Sequence, residues 1–312
     1  MSPILSPILL GALTFASPAS PEAAPKVFAT AEEAAQAFVD ASERQDTAAL
    51  ESILGPEGDS LINSGDAVQD AARRARLVGR AKEHLGVEKD AFHSGRYIIA
   101  IGKDSWPLPL PLLKVEGGYR FDAGEAKAEI LARRVGHNEL NTIAALRDLV
   151  EAEREFAYLD VNKDGSHVYA QQLLSDPGKR TGLFWEVAEG EPDSPLGALV
   201  RRAEAEGYGP PAAGQPPIYH GYVFRILKGQ GPNAPGGALD YVVRGNMMGG
   251  FAIVASPAEY GVSGVKTFLV AHDGVVLEKD LGARTTALVS AMTLYNPDKT
   301  WIEAPKEPLE EP

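Results

Sequence analysis

The apolar positions of this chain hold one period for a stretch and then another, and each change marks an element. Ala34, Ala37, Phe38 and Ala41 recur at helical spacing behind Thr30-Ala31-Glu32-Glu33. That tetrapeptide is a capping box: the Thr30 hydroxyl accepts from the Glu33 amide, and the Glu33 carboxylate reaches back. A short helix, Thr47 to Leu54, stops at Gly55-Pro56. Asp66 caps a third helix that runs to about Leu85, with Arg73, Arg74, Arg76, Arg80 and Lys82 on a face expected to be solvated. Strand character follows. Tyr97 to Ile101 is β-rich, Pro109 and Pro111 delay any strand in Leu108 to Val115, and Glu116-Gly117-Gly118-Tyr119 turns into Tyr119-Arg120-Phe121. Helices followed by an antiparallel sheet predict a small α+β domain over residues 28–125.

A second unit spans residues 126–300. From Glu125 to Leu159 the pattern is helical with one weak point at Gly136, and Leu140, Ile143, Leu146, Val150 and Phe156 share a face. After the turn Asp160-Val161-Asn162-Lys163-Asp164-Gly165, a short helix is expected near Tyr169 to Leu174. Another begins at Ser194-Pro195, with Ser194 as cap, and ends at Gly207. Beyond the proline-rich loop the period becomes two. Tyr222 to Leu227, Tyr241 to Val243, Phe251 to Ala255, Thr267 to Val270 and Val275 to Leu277 read as short antiparallel strands, and Thr285 to Met292 as a last helix. Residues 301–312, rich in Pro and Glu, are expected to be a disordered acidic tail. The predicted class is therefore α+β: a cone-like helix-plus-sheet domain, then a long helix packed on an antiparallel sheet.

The 312 residues suit about two domains. The net charge of −13 and the lack of a basic block disfavour nucleic acid, whose phosphates need clustered Lys and Arg. Ile8 to Ala16 is an apolar run followed by small residues and prolines. That pattern predicts a signal peptide within residues 1–27, cleaved near Ala16 or Ala19, although no Lys or Arg precedes the run. The expected location is periplasmic or secreted. No run reaches the ~20 apolar residues of a membrane span. There is no cysteine, which removes disulfides and thiolate chemistry.

The N-terminal element order resembles the cone-shaped domains of the nuclear transport factor 2-like superfamily, which often hold a pocket between helix and sheet. Beyond the leader, several segments look like a bacterial family catalogued as domain of unknown function 2950. They include His137-Asn138-Glu139-Leu140, Tyr219-His220-Gly221-Tyr222, Gly231-Pro232-Asn233-Ala234-Pro235-Gly236-Gly237, Gly250-Phe251-Ala252 and Pro257-Ala258-Glu259-Tyr260-Gly261-Val262-Ser263-Gly264-Val265. The resemblance implies an exported protein and carries over no catalytic residue or cofactor. The second half also resembles the soluble head of pilins and pseudopilins, through Asn138-Glu139, Ile143, Leu146-Arg147, Tyr169-Ala170 and Gly221-Tyr222-Val223-Phe224. A pilin polymerises through an apolar helical half before this region. Here Lys127, Glu129, Arg133 and Arg134 occupy it, so a filament core is not expected.

Asp160, Asn162 and Asp164 on alternate positions, with Gly165 next, form the first half of a calcium loop. Position twelve is Gln171 rather than a bidentate acid, and Lys163 adds positive charge. The competing reading is a polar turn whose side chains bond nearby amides while Gly165 takes a positive φ. No other cofactor is expected. His220 and His272 fall at strand edges, where a structural role is expected. Gly231 to Gly237 reads as a hairpin loop rather than a phosphate loop, and Trp106 and Trp185 as contact residues or core plugs. No acid, base and nucleophile set converges, so no catalytic residue is assigned. The expected function is a non-catalytic binding or envelope-assembly module whose partner is an envelope protein or a small ligand. The alternatives are an enzyme with its pocket in the N-terminal domain and a calcium-stabilised scaffold.

Overall fold

The computed structural model describes residues 24–161, 165–211 and 215–305. The fold is α+β. Residues 1–23 of the expected signal peptide and leader, together with Asn162, Asp164 and residues 306–312, lie outside the described residues.

In the N-terminal domain, α1 (Ala31–Glu43), α2 (Thr47–Leu54), α3 (Asp59–Ile62) and α4 (Ala67–Glu83) precede an antiparallel sheet. Its strands are β1 (Leu85–Lys89), β2 (Arg96–Ile101), β3 (Trp106–Pro107), β4 (Leu112–Val115) and β5 (Gly118–Phe121), ordered β1-β2-β4-β5 with β3 added to β2. The cap forms, with Thr30 Oγ1 accepting from Glu33 N at 3.0 Å, while the returning Glu33 Oε2 accepts from Ala29 N at 3.2 Å, one residue before the cap. Leu85 does not end the third helix. It opens β1, which pairs with β2 from Leu85↔Ile101 to Lys89↔Tyr97. Phe28 pairs with Tyr119 on β5, and the close approach demands Gly118, where a Cβ would sit 2.0 Å from the Phe28 carbonyl oxygen.

One helix joins the two domains. α5 (Ala123–Tyr158) runs unbroken through Gly136. Its first turns place Ala123, Ala126 and Ile130 in the N-terminal core. Its later turns place Ile143, Leu146, Val150 and Phe156 in the second core. The boundary expected at 125/126 therefore falls inside a shared helix. Both charges have protein partners: Arg133 pairs with Glu129, and Arg134 donates to the Ser60 and Leu61 carbonyls. No helix among the described residues is long and apolar enough to cross a membrane.

The second domain adds α6 (Gly197–Ala205), β6 (Ile218–Tyr219), β7 (Tyr222–Leu227), β8 (Gly229–Gln230), β9 (Leu239–Asp240), β10 (Val242–Val243) and β11 (Asn246–Met247). These are followed by β12 (Ala252–Pro257), β13 (Lys266–Ala271), β14 (Leu277–Asp280), α7 (Thr285–Ala291) and β15 (Ile302–Glu303). The main sheet is antiparallel in the order β15-β14-β13-β12-β7-β6. Every residue of β12 is buried, which requires cover on both faces, and α5 and α7 both pack against it.

Three expectations are corrected here. No helix forms at Tyr169 to Leu174: the Tyr169 amide donates to the Met247 carbonyl and the Ala170 amide to Glu153, so the backbone is held extended. Ser194 does not cap α6, which starts at Gly197 without a side-chain cap. The expected tail of 301–312 does not hold for residues 302–304, because Ile302 and Glu303 pair with Glu278 and Leu277 and Ala304 is buried.

Candidate functional site

The helices and sheet of the N-terminal domain do not close on each other. They enclose a cavity of about 490 Å³, within the ~300–1,000 Å³ range of small-molecule sites. Phe38 of α1, Leu50 and Leu54 of α2, Ile62 of α3, Ile101 of β2 and Leu108 and Leu110 supply apolar walls. Ile130 of α5 and Trp106 of β3 border it. Trp106 keeps 40% of its surface exposed.

The fourth wall is α4, and it is not apolar. Arg73, Arg74, Arg76 and Arg80 line the cavity with Leu77. The sequence pattern assigned these arginines to a solvated face. Arg76 is exposed; Arg73, Arg74 and Arg80 are half-buried. The reason is geometric: positions 73, 77 and 80 follow Asp70 along one helical face, and that face lines the cavity. Long arginine stems can cover apolar wall while their charged heads reach toward water.

Asp70 is the one carboxylate in the lining, and its oxygens are engaged by the Ser64 amide at 2.9 Å and by Arg73 at 3.5 Å. Burial lowers the pKa of Arg73, with Asp70 opposing. Arg134, behind it, is pushed down to about 10 by burial and then by Arg73. No histidine lines the cavity among the described residues.

α4 is pinned from the other side by the second domain. Asp66 caps it through Gln69 N at 3.0 Å, and the other Asp66 oxygen accepts from Tyr208 Oη at 2.7 Å and Gly221 N at 2.8 Å. His220, read from sequence as a strand-edge residue, lies between β6 and β7 and joins the domains through its side chain. Its Nδ1 lies 2.8 Å from Gln69 Nε2, its Nε2 3.1 Å from Glu206 Oε2, and its φ is +47°. Gln69 Oε1 in turn accepts from Arg73 Nη2 at 2.5 Å. The seam thus reaches an arginine of the cavity wall through one amide. No periodic signal announces such a chain, because its members lie 151 residues apart.

The segments singled out in the sequence meet beside this seam. Asn138 Nδ2 donates to the Ser263 carbonyl at 2.9 Å, and Glu139 Oε1 accepts from Val265 N at 3.0 Å and Lys266 N at 2.9 Å. They hold the loop that leads into β13. Family-model comparison matches residues 25–304 to DUF2950, a protein family of unknown function. The chain belongs to the DUF2950 family. No curated protein and no solved structure matches it.

The remaining sequence candidates fall elsewhere in this DUF2950 chain. Asp160 takes φ +42°, and its Oδ2 accepts from Gly165 N at 3.1 Å, with Gly165 at φ +75°. Gln171 faces away, donating to the Gly245 carbonyl and accepting from Lys228. No group of three or more His, Cys, Asp or Glu able to hold a metal occurs among the described residues. The Gly231–Gly237 segment is the hairpin loop between β8 and β9, braced by Gln230 Nε2 donating to the Pro235 and Gly237 carbonyls. Trp185 is a core plug against Phe156. A second concavity of about 830 Å³ lies between α5, α6 and the segment around Trp185. Two of its cations are already paired, Lys179 with Asp176 and Arg180 with Glu191.

Proposed function

We propose that this DUF2950 protein is a non-catalytic binding module whose ligand site is the cavity of the N-terminal domain. The observation that carries the reading is the open, largely apolar chamber between the helices and sheet of that domain. Its one carboxylate is engaged by an amide and an arginine, which counts against a general-base role for it. Binding without turnover fits that lining better than catalysis.

Export and an envelope role belong to the same proposal. The apolar run Ile8 to Ala16 supports export. A 36-residue helix followed by an antiparallel sheet supports a pilin-head-like second domain, which would present the binding domain to an envelope partner.

Native mass spectrometry of the protein purified from its own cells tests the binding reading. The expected result is a bound small-molecule mass that the cavity-filling variant Ile130→Trp loses. A ligand-free spectrum for wild type and variant alike, under conditions that preserve weak complexes, would remove the reading.

A further inference from the structure

We propose that the N-terminal cavity takes a single-chain amphiphile with an anionic head, its chain among the apolar walls and its head at the arginines of α4. The inference rests on the reading of that cavity as a ligand site and adds the ligand's chemistry.

The first ground is charge. The chain carries a net −13, yet the lining of this one chamber brings four arginines against a single aspartate. The charge there runs opposite to that of the molecule, so the excess is local.

The second ground is spare donor capacity. A guanidinium offers five N–H donors in a fixed fork. Arg76 makes no hydrogen bond or ion pair among the described residues. Arg74 spends one donor on the Ile62 carbonyl. Arg80 spends one on Asp104, a residue outside the lining, and its head lies 5.8 Å from the Trp106 ring centre. Donors therefore remain at the mouth, beside an indole that can cover the first carbons of a chain.

The third ground is the split of chemistry along the chamber. Phe38 of α1, Leu54 of α2 and Leu110 line the same chamber as the α4 arginines, and Asp70 is the only anionic side chain among its described lining residues. A wholly polar anion would leave those walls unfilled. A wholly apolar ligand would leave the arginines without counter-charge in a half-buried setting, where ion pairing is screened less than at a free surface. Arg73 is already held below its ordinary pKa by burial, so a nearby anion would relieve a cost the empty site carries.

Titration calorimetry on the full chain tests this with three probe series of equal chain length below their micelle limits: n-alkyl carboxylates, n-alkanols and n-alkyltrimethylammonium salts. Carboxylates are expected to bind at least tenfold more tightly than the alkanols, and the cations more weakly than either. Each added methylene should tighten binding about fourfold, the equivalent of ~0.8 kcal/mol. Arg76→Gln is at an exposed position and should fold. It is expected to weaken the carboxylates three- to tenfold and leave the alkanols unchanged, while Ile130→Trp removes binding of all three. Equal affinity of acid, alcohol and cation would overturn the anionic head and leave the binding module standing. Failure of all three series to bind would overturn both. Binding that Ile130→Trp leaves untouched, with that variant's melting temperature preserved, would also overturn the assignment.

Discussion

Gln69 Nε2 of the N-terminal domain lies 2.8 Å from His220 Nδ1 of the second domain, and the contact fixes the charge state of the imidazole. Gln69 cannot turn its amide over without facing its NH₂ toward Arg73, whose Nη2 donates to Oε1 at 2.5 Å. Asn141 Nδ2 approaches the same ring nitrogen at 3.4 Å. Two amide donors thus face Nδ1, which must accept, and the ring proton sits on Nε2 toward Glu206. Burial lowers the His220 pKa, Glu206 and Asp66 oppose, and His137 and Arg202 lower it further.

A group held below its unfolded pKa gives stability that is present above that unfolded value and lost as pH falls through the folded one. Wild type should therefore lose stability as pH drops below ~6.5, the ordinary histidine value. His220→Gln should lack that step. Thermal melting from pH 7.5 to 5 checks it, and superimposable pH profiles would show that the seam does not sense the proton. His220→Gln should also lower the melting temperature at pH 7.5, by the few degrees that ~1 kcal/mol represents in a protein of this size.

Glu153 titrates in the opposite sense. It is wholly buried, Oε2 accepts from the Ala170 amide at 2.8 Å, and Oε1 has no hydrogen-bond partner. Burial raises its pKa well above the usual carboxylate value, with the Ala170 amide opposing. Stability from this group is full below the unfolded value and is lost as pH rises through the folded one. Glu153→Gln keeps an acceptor for Ala170 and removes the titration. It is expected to stabilise the protein by ~1 kcal/mol or more at alkaline pH and to bring little gain at pH 4. A gain that is the same at every pH would point to packing instead.

The elements that could be read in the sequence are those fixed by local chemistry. Thr30 and Asp66 cap their helices, Gly55 ends α2, and the period-two run from Tyr222 to Leu227 is a strand. What was missed depends on distant partners. β1 forms because β2 lies beside it, and the backbone near Tyr169 stays extended because Glu153 and Met247 take its amides. The arginines of α4 show the same limit for the site. Spacing put them on one face, but it could not tell that the facing elements leave a chamber open there.

The motif loop before β13 depends on a glycine with no room for a side chain. A Cβ at Gly264 would stand 2.1 Å from Tyr222 Oη, and the Tyr222 hydroxyl is itself committed to the Lys266 carbonyl at 2.9 Å. Tyr222 is fully buried, so the ring has nowhere to move. Gly264→Ala should cost roughly 2 kcal/mol or more by overpacking. Gly261→Ala, in the same loop, meets nothing within 4 Å and carries only the strain of φ +77°. It should cost about 1 kcal/mol. Denaturant unfolding of both variants checks the order, and a Gly261 variant as damaged as the Gly264 one would show that loop conformation, not the tyrosine, sets the requirement.

Calcium provides the last test, because the loop that suggested it has a competing use for its first ligand. Asp160 Oδ2 accepts from the Gly165 amide, and Gly165 takes the positive φ that a polar turn demands. Gln171, at the position where an acid would chelate, gives its amide to Gly245 and its carbonyl oxygen to Lys228. An extracellular-grade site with Kd of ~10⁻⁴–10⁻³ M would gain ~1.4–2.7 kcal/mol in 10 mM calcium. That gain would raise the melting temperature by roughly 3–10 °C. The expected shift between 10 mM calcium and chelator is smaller than about 1 °C, a bound set by the turn reading. Asp160→Asn, which keeps an acceptor for Gly165, should melt near wild type in both buffers. A calcium-dependent rise in wild type that Asp160→Asn abolishes would restore the metal site and overturn the turn.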